Sequence, residues 1–231
     1  MVMSESSLNN AFRSDGAFTG QLDQETFRAL LFNSFLHQQG RLRRNRREGE
    51  RLAAIAEISR AVSKAGDLRT ALSLVAAGAV EVTRSTGAAI AVGASGQMTC
   101  WATSGPTSPP LGAAVPLETG LSGECLRSRR ALRCDETASD PRVNREACAR
   151  LGGVGSMLLV PLCRRGAAIG ILEVFATEPH AFDEGDEQGL ELLAVIAGSA
   201  LHDFAESEAA PRVSRNVAPG ARTAPAPVSP V

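Results

Sequence analysis

The sequence predicts an α+β domain: a central antiparallel sheet of five to six strands, with N- and C-terminal helices on one face and a loop and helix excursion covering a pocket on the other. Three observations carry this. Amphipathic helical periodicity frames both ends of the patterned region, glycine-bounded apolar runs in its middle pair as hairpins, and the segment 118–154 is too long for a hairpin connection yet too apolar for a linker. The chain has 231 residues, 44% hydrophobic and 21% charged, enough for one sizeable core.

The first residues, 1–21, are polar and rich in Gly, Ser and Asn, and are expected to be a mobile tail. Leu22, Phe27, Leu30, Leu31, Phe35 and Leu36 then recur at helical spacing, predicting a helical extension over 22–47 whose first helix ends near Gly40. Residues 41–47 hold five arginines in seven. With Glu48 and Glu50 they form i,i+3 and i,i+4 pairs on a solvated face, and no aromatic residue is interleaved for stacking on bases, so a nucleic-acid partner is not expected. Leu52, Ile55, Ile58 and Val62 make a heptad-like seam along a helix over 48–63. Asp67 is placed to cap the next helix, 68–84, which carries Leu68, Leu72, Val75, Ala79 and Val82 on one stripe.

Strands follow at 87–93 and 97–103 around an Ala94-Ser95-Gly96 turn, with a short third strand at 113–117. After the excursion, 156–162 and 167–175 flank the turn Cys163-Arg164-Arg165-Gly166 as the clearest hairpin of the chain. Alternation along 169–175 puts Gly170, Leu172 and Val174 on one face and Ile169, Ile171, Glu173 and Phe175 on the other. Pro161 removes a ladder donor, which predicts an edge or a bulge near the pocket rim. Phe182 before Asp183 fits a hydrophobic staple opening a last helix over 183–207. Residues 208–231, dominated by Ala, Pro, Val and Arg, are expected to be disordered.

Composition removes several function classes. The chain has one lysine, Lys64, three histidines and no tyrosine, so a phosphate loop with its lysine, a Schiff-base lysine, a Ser-His-Asp triad and a His-rich metal site all lack their parts. Its five cysteines include no C-x-x-C pair, and their odd number in a chain whose start lacks the basic and apolar blocks of a signal peptide predicts reduced thiols in the cytoplasm. No apolar run is long enough to span a membrane, and a net charge of −1 offers no global attraction to polyanions.

The order of elements, together with particular wording in the second half, resembles the GAF domain family of small-molecule-binding regulatory domains over about 48–205. The residues that carry the resemblance are Gly120-Leu121-Ser122-Gly123-Glu124-Cys125, Asp135 with Asp140-Pro141-Arg142-Val143, Leu151-Gly152 ahead of Ser156–Leu162, Ile169–Val174, and Ala181–Asp186. The resemblance implies a non-catalytic sensor whose ligand lies between sheet and excursion and biases terminal helices, 48–63 and 183–207, that pair in a homodimer and signal to a separate effector chain. It implies a candidate ligand set of Cys100, Ser122, Gly123, Cys125, Cys134, Asp135, Val143, Cys148, Ser156, Leu158 and Glu173. Glu173, the one charge in an apolar strand, either faces the pocket and holds an amine-bearing ligand or lies at a wet sheet margin.

The residues do not name the ligand or a cofactor. Members of the family bind cyclic nucleotides, bilins, haem or 2-oxoacids, but the cyclic-nucleotide signature lacks its Asn-Lys half ahead of Phe182-Asp183-Glu184, and no cysteine precedes a histidine for bilin attachment. The alternative is an enzyme or a thiol redox sensor. Free methionine-(R)-sulfoxide reductases share the fold and use cysteines of the excursion, where Cys125, Cys134 and Cys148 stand, although Ser122 occupies the position of the cysteine in their glycine turn.

Overall fold

The computed structural model describes residues 24–94, 97–115, 117 and 119–209; the predicted tail 1–21 with residues 22–23, the turn residues Ser95 and Gly96, Pro116, Glu118, and all of the predicted tail 208–231 except its first two residues, which are helical, lie outside them. Contacts divide the chain into two units, Met1–Gly49 and Glu50–Val231. In the order of the chain, the elements are α1 (Gln24–Val62), α2 (Leu68–Thr83), β1 (Gly87–Ala94), β2 (Gln97–Ser104), β3 (Ala114–Val115), α3 (Gly120–Ser128), β4 (Leu132–Cys134), α4 (Arg145–Arg150), β5 (Ser156–Arg164), β6 (Ala167–Ala176) and α5 (Glu184–Ala209).

Two expected helices are one. Helix α1 runs unbroken through Gly40, because a glycine inside a helix costs about 1 kcal/mol relative to alanine but keeps its N–H donor, and the arginines after it are good helix formers. The first unit shows only the part of this helix before Glu50, on which Phe32, Phe35, Leu36 and Leu42 are exposed.

In the second unit, six strands form one antiparallel sheet in the order β3-β2-β1-β6-β5-β4. The β5–β6 hairpin turns on Arg165 and Gly166, both at positive φ (49° and 82°), as a two-residue hairpin with right-handed strand twist requires. Pro161 sits in β5 beyond the three residues that β4 covers, as expected of an edge; it lines the depression beside that edge and is not among the residues lining the hollow, at whose rim it was expected.

Strand parity divides the sheet into two faces. Ala88, Ile90, Leu158, Val160, Leu172 and Val174 point towards α1, α2 and α5, where Ile58, Leu72, Val75, Leu190, Leu193 and Ala197 meet them in one core. Burial at about 25 cal/mol per Å² of apolar surface makes this face the main source of stability. Ile169 departs from the expected parity: it packs with the helix-side core, next to the register shift between Leu162 and Cys163 that turns the end of the hairpin. The seam expected for dimerisation is largely consumed here. Ile55, Ile58 and Val62 of α1 are buried within the chain, while Leu52, Leu192 and Val195 point outward.

Local signals place the helices. Asp67 caps α2 by accepting from Thr70 N–H at 2.8 Å. At the start of α5, Asp183 and Asp186 accept each other's backbone N–H at 2.9 and 3.0 Å, an aspartate version of the capping box, with Phe182 buried beside it. Asp186 is fully buried and pairs at 2.6 Å with Arg51 of α1. Gly185 and Gly189 leave room for that guanidinium and its stem, since a Cβ at either would fall 2.2 Å and 2.8 Å from Arg51 atoms. The pair therefore ties α1 to the first turn of α5 through a gap in the α5 surface. Replacing Arg51 by alanine strands a buried carboxylate, and the expected cost is about 3 kcal/mol, a fall in Tm of roughly 9 °C. Thermal melts of the full chain check this, and an unchanged Tm would show the pair to be neutral.

Candidate functional site

On the far face of the sheet the segment 119–154 folds back as a lid built of α3, β4 and α4. Its start is fixed by Gly120 at φ +80°, and Gly123 lets α3 approach Leu117, whose carbonyl oxygen would lie 2.4 Å from any Cβ there. Arg127 reinforces the approach by donating to the same carbonyl at 2.8 Å. Asn144 caps α4 by accepting from Ala147 N–H at 3.0 Å. Between the helices, Arg142 is pinned to Asp140 at 2.7 Å and to Glu124 of α3 at 3.2 Å. That bidentate neighbour holds the Asp140 carboxyl down at about 2.

The lid does not fill the face it covers. Two apolar clusters lie under it, one around Leu121, Cys125, Cys134, Leu159 and Ile171, the other around Cys100, Cys148, Val154 and Phe175. Alongside them remains a hollow of about 390 Å³, within the range of small-molecule sites. Its sheet side carries Val115, Met157, Glu173 and Phe175, and its lid side Leu121, Ser122, Arg142, Val143, Asn144, Cys148 and Leu151. A larger depression of about 490 Å³ lies between the β5 edge and α5, but of its charged residues, Arg129, Arg130 and Glu191 are exposed and Glu187 is half-buried, and no fully buried ionisable group opens into it.

Glu173 gives the hollow its chemistry. Only two carboxylate side chains are buried among the described residues, Asp186 and Glu173. Asp186 has its arginine. Glu173, 6% exposed between Ala89 and Leu159 on the neighbouring strands, has the Ser122 hydroxyl, which donates at 2.5 Å. Burial pushes its carboxyl above the ordinary range, and the serine bond only partly offsets that. The same apolar setting acts on the thiols: burial, with the nearby Glu173 carboxyl, raises Cys100 to about 11 and Cys125 to about 12; burial with Asp140 raises Cys134 to about 11; and burial alone raises Cys148.

Of the candidate set, Ser122, Val143, Cys148 and Glu173 line the hollow together. Cys100 lies under it, in the cluster with Phe175. Cys125 and Cys134 are packed in the neighbouring cluster, with the Cys125 thiol 3.3 Å from the Arg130 carbonyl. Gly123 acts through the close approach of α3. Three candidates lie elsewhere. Leu158 belongs to the helix-side core because it pairs with Val174, one residue out of phase with Glu173. Ser156 is buried and donates to the Glu178 carbonyl at 2.7 Å, fastening the loop after β6. Asp135 is exposed, paired with Arg133 at 2.9 Å, and its carbonyl accepts from His180 N–H. The residues missed are Phe175, Met157, Leu121, Arg142 and Asn144. Phe175 was available from its parity with Glu173, and Asn144 from its place ahead of Arg145-Glu146, a cap followed by an acidic first turn.

A lidded sheet with a lined hollow, backed by terminal helices, is the geometry of one family of domains, and the GAF domain model matches residues 65–202, more than half of the chain. The chain belongs to the GAF domain family. No curated protein matches this GAF chain in sequence. Among solved structures it is similar to the GAF domain of a phosphoenolpyruvate-protein phosphotransferase from Coxiella burnetii, with 21% identity and a TM-score of 0.64 over 71% of this chain and 99% of that one. A free methionine-R-sulfoxide reductase from Neisseria meningitidis, solved with its substrate, shows 20% identity and a TM-score of 0.61 over 69% and 93%. Residues 122 to 287 of a methyl-accepting chemotaxis protein show 22% identity and a TM-score of 0.58 over 66% and 99%. At such identities the likeness is one of fold. No helix among the described residues of this GAF protein is long and apolar enough to cross a membrane.

The sign of the Glu173 shift makes a prediction. A carboxyl whose folded pKa is raised contributes most below its unfolded pKa near 4.3 and loses that contribution as pH rises through the folded value. Glu173→Gln, which keeps an oxygen for Ser122 and carries no charge, is therefore expected to raise the Tm of the ligand-free protein at pH 8 by about 3 °C. The gain should vanish towards pH 4. Melting both proteins across that range checks it, and a Tm lowered equally at every pH would contradict it.

Proposed function

We propose that this GAF domain is a non-catalytic sensor: a small molecule enters the hollow between sheet and lid, and its binding changes how the lid and the sheet bear on the terminal helices. The observation that carries the reading is the unfilled hollow itself, apolar on most sides, with a buried hydrogen-bonding pair, Glu173 and Ser122, in its wall. An apolar cavity with a few placed polar groups is the usual form of a small-molecule site. Strand β6 carries Glu173 on the ligand side and Leu172 and Val174 on the side of α2 and α5, so a shift at one face is felt at the other. The output is read by a separate effector chain, in a homodimer whose contacts are made through the outward residues Leu52, Leu192 and Val195 of α1 and α5. A cytoplasmic setting goes with the unpaired thiols.

The reductase alternative needs a thiolate beside the substrate and a second thiol to resolve the intermediate. Only Cys148 lines the hollow, its thiol is held towards the protonated form, and Cys125 and Cys134 are packed in a different cluster. These features favour binding over turnover. Native mass spectrometry of gently purified protein is expected to show a retained small molecule, and Cys148→Ser is expected to keep it, with affinity changed by less than about threefold. Reductant-coupled turnover of free methionine sulfoxide, lost in Cys148→Ser, would establish the enzyme instead.

A further inference from the structure

We infer that the hollow selects a compact organic cation, an ammonium carried on an apolar body, with Glu173 as its counter-ion. This rests on the reading of the hollow as a ligand site and adds what the site selects. The wall carries an unbalanced acid. Among the described residues, Glu173 is the only acidic side chain lining the hollow, and no basic side chain pairs with it. The one cation in the lining, Arg142, already faces Asp140 and Glu124 and is held at the lid by both. An anionic ligand would thus meet a carboxyl and find no uncommitted positive charge. A cation meets an acceptor that burial has stripped of water, where one charged hydrogen bond is stronger than at the surface. Phe175, two residues along the same face of β6, also lines the hollow and adds an aromatic ring to its wall, a group that favours a cation over an anion.

Binding moves a proton. In the empty hollow the Glu173 carboxyl is biased towards its neutral form; the arriving R–NH3⁺ stays protonated, the carboxyl gives its proton to solvent, and a carboxylate–ammonium pair remains. The other titratable groups facing Glu173 are the Cys100 thiol on β2 and the Cys125 thiol on α3, both held protonated, with Cys148 on α4 and the committed Arg142 completing the lining. None of them supplies a competing counter-charge. Affinity for the cation is therefore expected to rise with pH through the raised pKa of Glu173 and then level off.

Three probes with one body test this: 3-phenylpropylamine, 3-phenylpropanol and 3-phenylpropionate, titrated calorimetrically into the full chain. The amine is expected to bind about tenfold more tightly than the alcohol, and the carboxylate more weakly than both. Run in phosphate and in Tris, the amine should show a buffer-dependent enthalpy equivalent to release of up to about one proton, and the alcohol none. Glu173→Gln should abolish the amine preference while still binding the alcohol, which also shows that the variant is folded. If the alcohol or the carboxylate matches the amine, or if the preference survives in Glu173→Gln, the hollow is a site but the charge assignment is wrong. If none of the three binds, both the assignment and the reading of the hollow as a ligand site fall together.

Discussion

The single constraint on which this molecule turns is the placement of a carboxyl in an apolar sheet face with a hydroxyl, and no cation among the described residues, to balance it. An isolated buried charge costs several kcal/mol, so a chain tolerates Glu173 only as a neutral acid or as half of a pair completed from outside. The contrast with Asp186 is instructive. That carboxyl is equally buried, yet it receives Arg51, its own capping N–H and two glycines that clear the path of the guanidinium. One buried acid is completed within the fold and holds it together; the other is left incomplete beside an empty volume.

The architecture follows from keeping that incompleteness affordable to the whole. The helix-side core of Leu72, Val75, Leu158, Leu172, Leu190 and Leu193 is continuous and supplies stability without the far face. The lid is held by two apolar clusters, around Leu121 and Cys125 and around Cys148 and Val154, and by discrete devices: Gly123 against Leu117, Arg127 on the same carbonyl, Arg142 between Asp140 and Glu124, and Asn144 capping α4. Packed at these two clusters and pinned by polar contacts between them, the lid leaves the hollow alongside rather than closing over the whole face.

Much of this was legible in the amino-acid order. Asp67 with Thr70, the Arg165-Gly166 turn, Phe182 with Asp183, and the period-two alternation of β6 each act over two to four residues, and each element stands where those signals put it. The alternation that set Glu173 apart from Leu172 and Val174 also set its face correctly. What was not legible depended on pairing at long range. Leu158 and Leu159 are indistinguishable until β5 is registered against β6, and only then does Leu158 fall opposite Val174 and leave the site. Gly40 reads as a helix stop in isolation, but nothing nearby offers the chain another way to satisfy its backbone, and α1 continues. Arg51 lay in a charge-rich stretch, and its partner 135 residues away gave no local sign.

The most direct measurement is the titration of Glu173 itself, followed through the carbon-13 signal of its side-chain carboxyl in ligand-free protein, assigned by its loss in Glu173→Gln. A midpoint well above the ordinary carboxylate value near 4.3, falling when an ammonium ligand is added, is the result this account requires. A midpoint at or below that value in the empty protein would mean the carboxyl is already solvated or paired, and would contradict it.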